Sequence, residues 1–199
     1  HLVVNWERDG EEMKRGFEDG ALPGARIDNS SFYFSPGLTW PLRASRFAPS
    51  PLPAGSIFSV RGYAILAPYN ELQLLTGLGN SAPFDFLFKM LLGRFEFPEF
   101  IVGVLSKLPV PDISGEGAKK IGELARSAVE VKRQLDTNNE ISHLFLLPAL
   151  LQTDGDTLEK RAKAWVERIK RAEEELERIQ REIDEIAYQL YKLTEEDRR

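Results

Sequence analysis

The sequence contains no cysteine and only two histidines, His1 and His143. The missing thiols exclude a disulfide framework, a thiolate metal centre and a cysteine nucleophile. Imidazole chemistry is scarce too: His1 is terminal, and His143 sits among Ile141, Leu144 and Phe145, where a packed histidine is the plain reading. No run approaches the roughly 18 apolar residues of a membrane-spanning helix, so no membrane partner is expected. Nothing near His1 resembles a signal peptide, and the chain begins without Met; the expectation is an excised portion of a longer protein. Finally, residues 29–70 lack acidic side chains altogether, although the whole chain carries 31 Asp+Glu against 26 Lys+Arg and a net charge of −5.

That gap changes the meaning of the net charge. Residues 1–19 hold six acids and three bases, and residues 112–199 hold 20 acids and 16 bases. Between them, the acid-free stretch carries Arg43, Arg46 and Arg61. An acidic total therefore does not exclude a polyanionic partner.

With 199 residues, 42% of them apolar and 10% aromatic, the chain can build a substantial core. The pattern predicts an α+β protein with two regions: a β-rich unit over 1–112 with short packing helices, and a long antiparallel, coiled-coil-like helical hairpin over 113–199. Strands are expected at Leu2–Val4, Ser31–Ser35, Ser56–Val60, Tyr63–Ala67 and Phe100–Leu105, punctuated by Pro36-Gly37, by Pro49, Pro51 and Pro53, and by Arg61-Gly62. Leu72, Leu75 and Leu78 mark a short helix. Ser81 and Pro83 suit the start of the next, whose face is Phe84, Leu87, Phe88, Leu91 and Leu92, and Gly93 ends it. In the helical region, Ile121, Leu124, Ala128, Val131 and Leu135 outline a helix over 116–136. Asp156 and Glu159 have capping-box spacing before a helix over 157–194. Its apolar positions, from Leu158 through Trp165, Ile179, Ile183 and Leu190 to Leu193, alternate steps of four and three, as in a heptad seam.

Catalytic groupings are absent. Asp154-Gly155-Asp156 lacks the ligand pattern of a calcium loop and reads as a turn with a cap. Gly77-Leu78-Gly79 is too short for a phosphate loop. Asp112, Glu116 and Lys119 lack the spacing of a metal nuclease. No catalytic, metal or cofactor site is expected. The segment Thr39-Trp40-Pro41-Leu42-Arg43-Ala44-Ser45-Arg46-Phe47 is different, since guanidinium groups can fork onto guanine or clamp phosphates, hydroxyls can donate to phosphates, and an indole can stack. A surface loop with an anchoring tryptophan accounts for the composition equally well.

The order of motifs adds to this. Phe32-Tyr33-Phe34-Ser35-Pro36-Gly37-Leu38-Thr39-Trp40, Leu52-Pro53-Ala54-Gly55-Ser56-Ile57-Phe58, Leu74-Leu75 through Asn80-Ser81-Ala82-Pro83-Phe84, and Gly103-Val104-Leu105-Ser106-Lys107-Leu108-Pro109-Val110-Pro111-Asp112 follow one another along the chain. This succession resembles the target recognition domain of large bacterial adenine-specific DNA methyltransferases, the fused Type IIG restriction–modification enzymes and the BREX-type phage-defence methyltransferases. Ser142 to Leu150 and Ile183 to Tyr191 are similar to the helical C-terminal region of the same enzymes. Their Asn-Pro-Pro motif is missing, because no two prolines are adjacent, and so is the glycine-rich S-adenosylmethionine loop.

The resemblance implies a non-catalytic piece that reads duplex DNA for a methyltransferase domain of the same parent chain, which would hold the S-adenosylmethionine, in the cytoplasm of a bacterium or archaeon. Arg43 and Arg46 are the leading candidates for DNA contact. Thr39, Ser45 and Arg61 come next, Trp40 is expected as half anchor and half contact, and Lys89 and Arg94 are expected on phosphates. The alternative is a protein-interaction module in which the heptad helix joins a second chain.

Overall fold

A computed structural model describes residues 4–20, 27–59 and 62–198. Arg61, Val60, and Leu2 and Val3 of the expected first strand lie outside the described residues. Helix α1 (Glu7–Glu18) is kinked where Arg8, Asp9 and Gly10 take positive φ. Strands β1 (Gly37–Thr39), β2 (Ser50–Leu52) and β3 (Ala64–Ile65) form one antiparallel sheet in the order β2-β1-β3. Helices α2 (Tyr69–Gly79), α3 (Ala82–Leu92) and the single turn α4 (Val102–Leu105) follow, and then the long helices α5 (Glu116–Asp136) and α6 (Leu158–Leu190). The class is α+β, but helix dominates and the sheet is small.

Three expected strands take other forms. Asn29 enters the left-handed region at φ 56°, and Ser30–Phe32 closes a 3₁₀ turn in place of the aromatic strand. The rings there cluster instead of alternating: Tyr33 lies edge-on to Trp6 and to Phe58, both at 5.1 Å. Between these two segments, among the described residues, the backbone pairs through the Phe34 amide on the Ser56 carbonyl and the Gly55 amide on the Phe34 carbonyl, and Ser56–Ser59 also forms no strand. At Phe100–Leu105 the chain turns into α4 directly after the Phe100 amide has donated to the Leu42 carbonyl.

Helices α2, α3, α5 and α6 follow the sequence closely, apart from their caps, while α1 was not expected. The first amide of α3, on Ala82, donates to Asp184 Oδ1 of α6 at 2.7 Å, while the Ser81 hydroxyl donates to the Leu78 carbonyl. At α6 the cap is Thr157, whose side chain accepts from the Lys160 amide; Asp156 pairs with the Lys160 ammonium instead of forming a capping box. Gly93 ends α3 at φ 64°, a conformation open to glycine without penalty.

Helices α5 and α6 run antiparallel. Lys120 faces Glu182 at one end, and Arg168 donates to the Gln134 carbonyl at the other. Leu124 of α5 packs with Ile179 and Ile183 of α6. The seam of α6 is thus spent on α5 over its C-terminal half, whereas Leu158 at its start is exposed. The main core joins Trp40, Phe47, Leu74, Leu78, Phe84, Phe88 and Phe100 to Ala118, Ile121 and Ala187. One hydrophobic core therefore crosses the boundary between residues 112 and 113. Helices α2 and α5 meet at a glycine: a Cβ on Gly77 would lie 2.5 Å from Ile121 Cγ2 and 3.0 Å from the Ile121 carbonyl oxygen. Truncating any of the buried Phe or Trp rings to Ala costs about 3–5 kcal/mol.

Candidate nucleic-acid interface

The chain leaves β1 at Trp40 and re-enters the core at Phe47, and the two rings meet edge-on at 5.4 Å. Trp40 is 3% exposed, and its Nε1 donates to the Phe100 carbonyl at 2.8 Å. The Phe47 amide donates to Asp85 of α3 at 2.7 Å. Between these anchors the Leu42 carbonyl accepts the Phe100 amide, and residue 43 pairs with residue 99 in an isolated antiparallel bridge. The loop 41–46 is thus tied down along its length, and it presents Arg43, Ser45 and Arg46 to solvent.

Each guanidinium has a light tether. Arg43 forms an ion pair with Glu99 while its side chain stays 70% exposed. Arg46 donates to the Asn80 carbonyl at 3.1 Å. Exposed pairs of this kind contribute about 0–1 kcal/mol, so they orient the forks and release them readily. Two guanidinium groups and a hydroxyl on a pinned loop can bind phosphate oxygens or the acceptor edge of guanine.

The other expected contacts are placed differently. Trp40 is an anchor, and its buried ring has no face left for a base. The Thr39 hydroxyl donates to the Tyr63 carbonyl at 2.9 Å and holds strand to strand. Lys89, expected on phosphate, is the counter-ion of Asp85 at 2.6 Å, in a pair whose side chains are 13% and 11% exposed. Arg94 is exposed just beyond α3, its Nε donating to the Glu96 carbonyl. Arg61 lies outside the described residues.

Two features escaped the sequence reading. Asp85 supports the loop from below; its position between two phenylalanines on the helix carries that signal only once the helix face is known. Beside Arg46, a cleft of about 680 Å³ opens between Pro49 and Pro51 on one side and Ala128, Val129 and Ile179 on the other, with Lys132 and Arg133 among its lining residues. Among the described residues no group of three or more His, Asp or Glu side chains is arranged to hold a metal ion, and no helix is long and apolar enough to cross a membrane. No protein-family model matches the chain, and no curated protein does either.

Proposed function

We propose that this chain reads duplex DNA as the non-catalytic target recognition portion of a bacterial adenine-specific DNA methyltransferase. The observation that carries the reading is the pinned loop 41–46, which offers Arg43, Ser45 and Arg46 between two buried aromatic anchors in a stretch without acids. The order of motifs along the chain points the same way. In this reading the guanidinium groups fix the register on the duplex, and the helical region braces the loop against the catalytic domain of the parent chain, which flips the adenine and holds S-adenosylmethionine. The chain itself performs no methyl transfer. A cytoplasmic setting follows from a DNA substrate.

The test is an anisotropy titration at low salt against a pool of randomised 30-base-pair duplexes. Wild type binds with a steep salt dependence, and changing Arg43 and Arg46 to Ala weakens binding and lowers the salt slope by about two. Unchanged binding overturns the assignment. The rival reading, association through the heptad helix, is weakened by the burial of Ile179, Ile183 and Ala187 within the same chain.

A further inference from the structure

The turn that holds Glu99 carries a second unusual residue. Phe97 is 71% exposed and sits at φ 42°. A bulky residue at positive φ is a genuine outlier, and this one also precedes a proline, where the backbone is normally extended with φ near −120°. The strain is held from its C-terminal side. Pro98 is among the fully buried side chains, and Phe100 is 0% exposed in the main core. An apolar ring is thus kept in water, on a strained backbone, by a following segment packed at Pro98 and Phe100, while Phe95 and Glu96 before it are exposed. Such positions recur at functional sites, where the surrounding structure over-determines them.

Its neighbourhood gives the ring a task. Phe97 is two residues from Glu99, at most about 7 Å between Cα atoms, and Glu99 holds Arg43. A ring and a guanidinium therefore project from one small region, on the scale of one or two base-pair steps. Beside them Phe95 is exposed, with its ring 6.0 Å from that of Phe86, and Arg94 follows the end of α3. The segment carries carboxylates too, Glu96 beside the ring and Glu99 on Arg43, so the two arginines there are offset by two acids. Apolar side chains presented together with arginines are the means by which proteins enter the minor groove, separate adjacent base pairs and kink the duplex.

We propose that Phe97 is a wedge that inserts between two base pairs of duplex DNA held by Arg43, unstacking one step. This rests on the DNA-reading function above. Within it, the wedge supplies local distortion, and the loop 41–46 supplies attachment. The unstacked step would prepare the duplex for extrusion of a base by the catalytic domain.

The experiment uses the whole 199-residue chain and duplexes of randomised sequence that carry 2-aminopurine beside TA steps, at low salt. Wild type gives a fluorescence rise on binding. F97A, with an unchanged melting temperature, binds about tenfold more weakly and gives no rise at saturation, while F97L, still apolar, retains some of it. If F97A at saturation gives the wild-type rise, the wedge is overturned and DNA reading stands; Phe97 and Phe95 are then a contact for protein. If wild type shows no salt-dependent binding, both fall.

Discussion

One Asp85 oxygen accepts the Phe47 amide at 2.7 Å, and the other accepts the Lys89 ammonium at 2.6 Å. A single buried carboxylate thereby links α3 to the end of the loop that carries Arg43 and Arg46. Changing Asp85 to Ala strands both donors. Removing one partner of a buried pair costs about 3 kcal/mol, so chemical denaturation should show that loss and the melting temperature should fall by about 9 °C. DNA affinity should fall as well. Deleting an acid ordinarily strengthens binding to a polyanion, so a gain would show that the loop does not depend on this tether.

Glu99 gives the opposite sign. Its ion pair with Arg43 is exposed, so E99Q should change stability by less than about 1 kcal/mol. It should tighten DNA binding at low salt, because one carboxylate leaves the surface and one guanidinium is released. Titrations of E99Q and wild type at two salt concentrations check this; weaker binding by E99Q would mean that the pair orients Arg43 productively.

The two glycines at the α2–α5 contact should behave differently. G77A forces a Cβ against Ile121, backbone included, and should destabilise by about 2 kcal/mol. At Gly122 the nearest atom to an added Cβ is the Leu74 amide nitrogen at 3.6 Å, an ordinary contact. G122A should therefore stabilise by up to about 1 kcal/mol through helix propensity. Thermal melts of the pair read both signs.

The seam of α6 gives a prediction about mass. Ile179 is buried against α5 and Val166 is exposed. I179D places a charge in the core and should unfold the chain or cost more than about 4 kcal/mol. V166D should stay within about 0.5 kcal/mol. Light scattering should give the monomer mass of 22.6 kDa for wild type; a dimer abolished by V166D would transfer the working surface to the exposed half of the helix.

Asp136 closes α5 with an acid-sensitive turn. The Ser142 hydroxyl and then the Asn139 amide donate to its carboxylate and hold its pKa below the ordinary 3.8. A pKa lower in the folded than in the unfolded chain means that the turn's contribution is complete above about pH 4 and is lost as pH falls through the folded value. Carboxyl chemical shifts in an NMR titration should place Asp136 below the free carboxylates, and S142A should move it back up.

The long helices were legible in the sequence and most strands were not, for a physical reason; β3 falls within the expected Tyr63–Ala67, whereas α1 was not expected and α4 replaces an expected strand. The segments 116–136 and 158–190 carry a helical periodicity long enough to average out local exceptions, and Gly93 stops α3 by backbone geometry alone. The aromatic run at Phe32–Phe34 has the composition of a strand, but its rings found partners in Trp6 and Phe58, and those contacts are fixed by tertiary structure. Caps failed similarly, since Asp184 reaches Ala82 across 102 residues. At the candidate site, Arg43, Ser45 and Arg46 were legible because they lie on one short segment. The role of Lys89 was not, since its carboxylate neighbour decides between a phosphate contact and a buried counter-ion.

The Asp184–Ala82 tether bears on how this chain acquires its structure during synthesis. The amide that starts α3 waits for a residue made 102 positions later, and Ile121 and Ala187 complete a core begun by Trp40. A ribosome adding about 5–20 residues per second would hold the first half for several seconds without the groups that cover it. Folding should therefore be a late, concerted event with many distant contacts, slow for a protein this rich in helix. Fragments ending before α6 should be captured by chaperones or degraded, and the loop 41–46 should acquire its shape only when α6 has emerged.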